Sequence, residues 1–132
     1  MLFLGDVHIY VNDFEAALNF WTAGLGLEIA EREQAEHSAY ALLDFPDGGP
    51  SIRLFWPADG EGPSGAGDEP LRQNVMFDIA TSSFDDTLVK CLDSGATQME
   101  KIETYEGTRV VTLADPDGNM FELYEVPEED DA

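Results

Sequence analysis

Apolar and polar residues alternate near the start of the chain and then change to a helical spacing. Val7, Ile9 and Val11 alternate with more polar neighbours, which predicts a strand. Asp13 then lies at an N-cap position, and Gly24 is expected to end the following helix as a C′ glycine. The apolar face of that predicted helix consists of Phe14, Ala17, Leu18 and Trp21.

The same order of patterns returns in the second half of the chain. Residues 75–79 alternate and predict a strand, Ser82 or Ser83 is expected to cap a helix, and Gly95 is expected to end it. The buried face of this second helix is predicted to contain Phe84, Leu88, Cys91 and Leu92.

Each half closes with a predicted hairpin. A Pro-Asp-Gly turn lies between apolar stretches at 46–48 and again at 116–118. Proline presets φ and glycine accepts a positive φ, so both turns favour a hairpin. With further extended segments near 27–32 and 97–103, each half is predicted to contain a strand, a helix and three strands. The predicted fold class is therefore α+β, built from two βαβββ modules.

These patterns divide a single predicted domain, 1–132, into four segments. The predicted boundaries are a first module at 1–56, a linker at 57–73, a second module at 74–127 and an acidic tail at 128–132. The linker is rich in Gly, Pro and acidic residues, which is typical of an exposed connection and, with its length, also makes it a candidate lid.

The charge balance excludes some classes of partner. The chain has 28 Asp and Glu residues against 6 Lys and Arg residues, a formal net charge of −22. Nucleic acid and anionic membrane surfaces are therefore unfavourable partners. Two interpretations of the acidity remain open: a solvated surface suited to high salt, which is the simpler one, or a groove that attracts cationic ligands.

Cysteine content and hydropathy limit the chain further. One cysteine excludes an internal disulfide framework and a multi-thiolate zinc cluster. No apolar run approaches the length that spans a bilayer, and no basic region precedes the short apolar stretch at the start. We therefore expect a cytoplasmic protein without a signal peptide.

The paired modules resemble the vicinal oxygen chelate superfamily, which includes glyoxalase I, extradiol dioxygenases and bleomycin-resistance proteins. The resemblance is carried by HIYVNDFEAALNFWTAGLGLEI at 8–29 and by GTRVVTLADPDGNMFELYE at 107–125, whose DPDGN segment is the more specific part. It implies that the strands form a curled mixed sheet around a cavity and that the protein is a homodimer. It leaves the function open, because this fold carries many activities.

The resemblance also implies four positions at which metal-dependent members carry His, Glu or Gln ligands. Here these positions are occupied by Asp6, Arg53, Asn74 and Glu122. A guanidinium has no lone pair to offer and repels a cation, so Arg53 argues against a metal ion. Arg53 is expected either to form an ion pair with Glu122 or to anchor a ligand.

The two histidines have different expected surroundings. His8 lies two residues after Asp6, on the same predicted strand face. A hydrogen-bonded cavity residue, a general base and a displaced metal ligand are all open roles for it, in that order of preference. His37 lies among polar residues and is expected to be exposed or at the rim of the cavity.

Strand alternation then gives the other residues expected on the concave face. They are aromatic, thioether or acidic side chains, which suit a flat, partly cationic ligand, although such residues also commonly fill a core. The predicted ligand-binding residues are Asp6, His8, Tyr10, Arg53, Phe55, Asn74, Met76, Asp78, Met120, Glu122 and Tyr124. Arg109 is expected to bind an anionic group or a carboxylate at a strand edge.

Three functions follow from these residues and from the resemblance. The first is a metal-independent protein that binds a small aromatic or cationic compound, with no cofactor. The second is a metal-dependent lyase or dioxygenase that uses Asp6, His8, Asn74 and Glu122, for which Mn²⁺ or Mg²⁺ suits the oxygen-rich set better than Fe or Zn. The third is a cofactor-free isomerase with Glu122 and His8 as the catalytic acid and base.

Overall fold

The first module is one mixed sheet with a short helix against it. The computed structural model describes residues 1–2, 4–57 and 76–127. The sheet has the order β1-β4-β3-β2, in which β1 and β4 are parallel and the other pairs are antiparallel. Its elements are β1 (Asp6–Tyr10), α1 (Phe14–Asn19), β2 (Glu28–Gln34), β3 (Ala39–Asp44) and β4 (Ser51–Trp56).

The second module repeats this arrangement. Its sheet has the order β5-β9-β8-β6, with β7 also paired to β8, so the second strand of the pattern is divided into two short pieces. Its elements are β5 (Phe77–Thr81), α2 (Phe84–Asp93), β6 (Thr97–Gln98), β7 (Glu103–Tyr105), β8 (Thr108–Ala114) and β9 (Met120–Glu125). The α+β class and the two βαβββ modules are confirmed.

The end of the first helix differs from the prediction. A π-helical turn, Phe20–Gly24, extends α1, and the glycine with positive φ is Gly26, at 83°, so the prediction of Gly24 as the C′ residue is wrong. Gly24 is instead buried against the other module: a Cβ added there would lie 3.0 Å from the Cβ of Ser94. Its lack of a side chain allows the helical segments of the two modules to approach closely.

The first helix cap forms as predicted, whereas the second agrees with the prediction in position only. Asp13 caps α1 by accepting a hydrogen bond from the backbone N–H of Ala16 at 3.1 Å. Ser83 is the N-cap residue of α2 but makes no side-chain cap, and Gly95 follows the helix with a φ of 112°.

The buried face of α2 differs from the prediction at one residue. Leu92 is predicted to be buried on this face and is exposed instead. The buried residues of α2 are Phe84, Leu88 and Cys91.

Aromatic side chains join the two modules in one core. Trp21 is fully buried, as expected for a helix-core residue, and its ring lies 5.5 Å from that of Phe121 and 6.3 Å from that of Phe77. Phe20 meets Trp21 edge-on at 5.1 Å. Because these contacts cross from the first helix to the second sheet, the modules are stabilised by a shared hydrophobic core.

Both Pro-Asp-Gly turns are formed as predicted. Gly48 has a φ of 92° and Gly118 a φ of 90°, a conformation that glycine adopts without strain. The predicted linker beyond Pro57 and the acidic tail lie outside the described residues. No helix in the described part of the chain is both long enough and apolar enough to cross a membrane.

Candidate functional site

Three aromatic side chains form a row across the first sheet, which we call the aromatic row: Tyr10, Phe55 and Tyr40. Strand register places them side by side, because Tyr10 and Tyr40 are both direct partners of Phe55. The rings of Tyr10 and Phe55 are stacked, with centroids 5.5 Å apart and an interplanar angle of 21°. Tyr40 lies 6.4 Å from Phe55. The face opposite the helix therefore carries a continuous aromatic surface.

On the edge strand β2, the residue next to the aromatic row is a glutamate. Glu33 of β2 is the direct partner of Tyr40, and Glu31 is the partner of Leu42, one pair further along. Partial burial first, and then the negative charges of Glu33 and Glu31, raise the pKa of Tyr40 above its ordinary value. One end of the aromatic row thus carries two carboxylate side chains, Glu33 and Glu31.

A β-bulge decides which side chains of β2 reach this face. The register shifts between Ile29, which pairs with Leu43, and Glu31, which pairs with Leu42, so Ala30 is an extra residue. After the bulge, Arg32 turns to the helix side, where it binds Glu15 at 2.8 Å. The bulge therefore places two acidic side chains of β2, and no basic side chain of that strand, beside Tyr40.

An open cleft of about 1000 Å³ lies over the aromatic row. Exposed His37 and partly buried Trp56 also line the cleft, so His37 lies at its rim as expected. Trp56 also packs against the core. The lining is Tyr10, Glu33, Gln34, Ala35, His37, Ser38, Ala39, Tyr40, Phe55, Trp56 and Pro57.

Arg53 binds Asp6 rather than Glu122. Its Nε and Nη2 groups both donate to one Asp6 carboxylate oxygen, at 3.3 and 3.2 Å, and its guanidinium lies 5.5 Å from the centre of the Tyr40 ring. The expected Arg53–Glu122 ion pair is wrong, because Asp6 is on the strand next to Arg53 whereas Glu122 is on a strand of the other sheet. His8 pairs in register with Arg53 and meets Phe55 edge-on at 5.1 Å.

The remaining predicted site residues belong to the second sheet. Asp78 and Glu122 are direct partners across β5 and β9, and Met120 and Tyr124 lie two residues either side of Glu122. Asp78 also lines a second open cleft, about 830 Å³, beside the turn at 46–48.

Two further predicted residues lie before the second sheet. Met76 is exposed just before β5, and Asn74 lies outside the described residues. The predicted set is thus divided between two sheets, and His8 and Glu122 are on different ones.

The donor set of the alternative metal site does not fit an ion. Asp6 is bound by a guanidinium, and Arg53 offers no lone pair at the position expected for a ligand. Within residues 4–57 and 76–127, no group of three or more His, Cys, Asp or Glu side chains is close enough to hold a metal ion.

Arg109 and Cys91, two other side chains considered in the sequence analysis, contribute to the structure and do not line the cleft. Arg109 binds Asp85 at the start of α2 and Glu125 on β9, at 2.9 and 2.7 Å, so its partners are carboxylates. Its guanidinium also lies 4.7 Å from the centre of the Phe84 ring. Burial raises the pKa of the Cys91 thiol to about 12, which leaves it unreactive, as expected for a core cysteine.

Two residues of the cleft, Tyr40 and Glu33, are not among the site residues predicted from the sequence. Alternation along β3 gives Tyr40 the same face as Leu42, opposite to buried Ala41, and this signal was available in the sequence. Glu33 carried no such signal, because simple alternation does not reveal a bulge.

Comparison with known protein families confirms the resemblance to the glyoxalase group that the sequence motifs indicate. The model of the Glyoxalase/Bleomycin resistance protein/Dioxygenase superfamily matches residues 4–123. The chain belongs to this superfamily. Among curated proteins, none matches it significantly.

Several solved structures share the fold, and some of them are described as glyoxalase-family proteins. A glyoxalase family protein from Bacillus cereus has a TM-score of 0.75 and 19% identity, with 97% of this chain and 96% of that one covered. A superfamily member from Sphaerobacter thermophilus has a TM-score of 0.69 and 25% identity, with 96% and 98% covered. TnmS3, an antibiotic binding protein from a Streptomyces species, has a TM-score of 0.68 and 17% identity, with 97% and 98% covered.

Proposed function

We propose that this glyoxalase-superfamily protein binds a small organic compound, aromatic or cationic, without a metal ion. The observation that carries the proposal is the open cleft over Tyr10, Phe55 and Tyr40. Binding pockets for small molecules are concave and rich in aromatic side chains, with a few polar groups that orient the ligand. The antibiotic-binding activity of TnmS3 supports the same use of this fold.

The partial exposure of the three rings favours ligand binding over a role in packing the core. Tyr10, Tyr40 and Phe55 remain partly exposed, whereas the rings that join the modules, Trp21 and Phe121, are fully buried. A packed core has already formed on the opposite face of the same sheet, through Ile52 and Leu54. The aromatic row is therefore surface that folding leaves accessible to a binding partner.

A thermal-shift screen with a matched pair of variants tests the proposal. Compounds that raise the melting temperature of the protein should lose this effect in Phe55→Ala, because the central ring of the row is removed. Tyr105→Ala is the control, since Tyr105 is an aromatic residue that is 72% exposed on β7 and lies outside the cleft. Equal shifts in both variants would contradict binding at the cleft.

Metal independence is tested by elemental analysis of protein purified without chelators. We expect less than a stoichiometric amount of Mn, Mg, Fe or Zn, because Arg53 and Asp6 are paired with each other at the position where the superfamily's metal ligands are expected. One equivalent of metal that is lost in Glu122→Ala would instead support the lyase or dioxygenase alternative.

We further propose that the protein is a cytoplasmic homodimer. Within the described residues, β1 and β5 each end a sheet, so their outer edges are open to pairing or covering by a second chain. Sedimentation at micromolar concentration in low and in high salt checks the assembly, and a monomer in both conditions would contradict it. Cell fractionation checks the location.

A further inference from the structure

The cleft has an aromatic surface and, at one end, the carboxylate of Glu33. This arrangement indicates which kind of ligand the cleft prefers. Tyr10, Phe55 and Tyr40 run across β1, β4 and β3, and Glu33 follows on β2 as the next direct partner. A compound lying along this row meets rings first and a carboxylate last. The order is fixed by strand register and not by flexible loops.

The basic side chains near the row each lie beside a carboxylate. Arg53 approaches Tyr40 but is bound to Asp6 and is not in the lining of the cleft. Arg32, the neighbour of Glu31 and Glu33, is held on the helix side by Glu15 and lies over the Phe14 ring. His37 lies at the rim beside Glu36, 3.7 Å away. No basic side chain of the described residues thus faces Glu33 from within the row.

We propose that the cleft selects planar aromatic compounds that carry a protonated amine, with the ring on Phe55 and Tyr40 and the ammonium at Glu33. This inference rests on the proposed function and specifies its ligand class. Cations are attracted both by the faces of aromatic rings and by a carboxylate. From Phe55 to Glu33 the row spans two strand spacings, about 10 Å, so an amine on a short alkyl chain reaches both.

Three probes with the same ring system test the charge selection: naphthylmethylamine, naphthalenemethanol and naphthoate. Isothermal titration calorimetry at fixed ionic strength measures their dissociation constants. We expect the amine to bind about 3- to 10-fold more tightly than the alcohol, and the carboxylate most weakly, from one partly screened charge pair.

Two variants and one control separate the ring contact from the charge contact. Phe55→Leu should weaken the amine and the alcohol alike, by about 3- to 10-fold. Glu33→Gln should remove only the advantage of the amine. Glu28→Gln is the matched control, because Glu28 is an exposed carboxylate at the opposite end of β2 and should leave all three constants unchanged.

The outcomes distinguish this inference from the proposed function. If the amine and alcohol bind equally and both are weakened by Phe55→Leu, the cleft binds ligands but the charge selection is overturned. If Glu33→Gln and Glu28→Gln weaken the amine equally, the preference comes from the overall negative charge and the inference is overturned. If no probe is affected by Phe55→Leu, the cleft is not the binding site and the proposed function fails as well.

Discussion

Arg53 occupies a position where the superfamily resemblance led us to expect a metal ligand, and its partners explain how the sheet accommodates a cation there. Its guanidinium is bound to Asp6 on the adjacent strand and lies over the Tyr40 ring. Both members of the ion pair are partly exposed, at 25% and 31% of the side-chain surface. The pair is therefore screened by water, and its contribution to stability is small.

A double-mutant cycle tests this pairing. Arg53→Ala should change the free energy of unfolding by no more than about 1 kcal/mol, as for other partly exposed ion pairs. Urea unfolding of Arg53→Ala, Asp6→Ala and the double variant should show coupling between these two residues. The same cycle with Glu122→Ala is the control and should show none. Coupling of Arg53 to Glu122 instead would contradict the observed geometry.

Arg109 is a second arginine with a structural role, and its contacts are more extensive. It donates to Asp85 and Glu125 and covers the Phe84 ring, so it connects β8 to the first turn of α2 and to β9. The hydrogen bonds from Arg109 lower the pKa of Glu125. The same contacts with Glu125 and Asp85 raise the pKa of Arg109, which stays charged throughout the accessible pH range.

The lowered pKa of Glu125 gives a pH-dependent prediction. A carboxyl group whose pKa is lower in the folded state stabilises the fold above its unfolded pKa, and this stabilisation is lost as pH falls through the folded pKa. Arg109→Met should therefore melt at a lower temperature than wild type at neutral pH, and the difference should shrink in acid. Thermal unfolding from neutral to acidic pH measures it. A difference that stays constant in acid would contradict a role for Glu125.

The Pro-Asp-Gly turns show that one sequence pattern has two structural uses. Asp117 of the second turn accepts a hydrogen bond from the backbone N–H of Asn12 at 2.7 Å, 105 residues away in sequence. Buried Asp115 accepts from the backbone N–H groups of Asp117 and Asn119 and fixes the shape of the same turn. Asp47, at the equivalent place in the first turn, is exposed. The second turn thus connects the modules, and the first does not use its aspartate in this way.

Matched substitutions at the two turns test this difference. Asp117→Ala removes the acceptor of the exposed Asn12 N–H and should lower the free energy of unfolding by about 0.5–1.5 kcal/mol. Asp47→Ala removes the same side chain from an exposed turn and should change stability by less than about 0.5 kcal/mol. Chemical denaturation of both variants measures the two values. Similar losses would show that the contact with Asn12 contributes nothing specific.

The order of helices and strands was predictable from the sequence because its signals are local. Alternation, an N-cap aspartate and the Pro-Asp-Gly turns each depend on residues close together in the chain, and all three were correct for the first module. The pairing of Arg53 was not predictable, since it depends on which strands are neighbours in space. The site residues of the second sheet remain predictions, and Asn74 lies outside the described part of the chain.

At the scale of the whole molecule, the large negative net charge is the main electrostatic feature. A formal charge of −22 on 132 residues produces self-repulsion that salt screens. The acidic residues of β2 illustrate the cost, since Glu31 and Glu33 lie on the same face of one strand beside Tyr40. Low ionic strength should therefore destabilise the fold.

Salt titration of thermal stability checks this effect. The melting temperature should rise from low salt to molar NaCl, because screening relieves repulsion among 28 acidic side chains. Potassium chloride at the same concentrations is the control for a specific sodium effect and should give the same rise. A melting temperature that is flat across the range would contradict adaptation to high salt.

The bulge at Ala30 also bears on how relatives of this protein diverge. Because the side-chain period of a strand is two, a strand that kept all its residues but paired without the bulge would place Arg32 opposite Tyr40 and send Glu31 and Glu33 to the helix side. This one-residue shift of register on an edge strand would reverse the charge that a ligand meets, while Tyr10, Phe55 and Tyr40 stay unchanged. Ligand preference in such a lineage can therefore shift by a change in strand register, without any substitution among the residues that hold the ring.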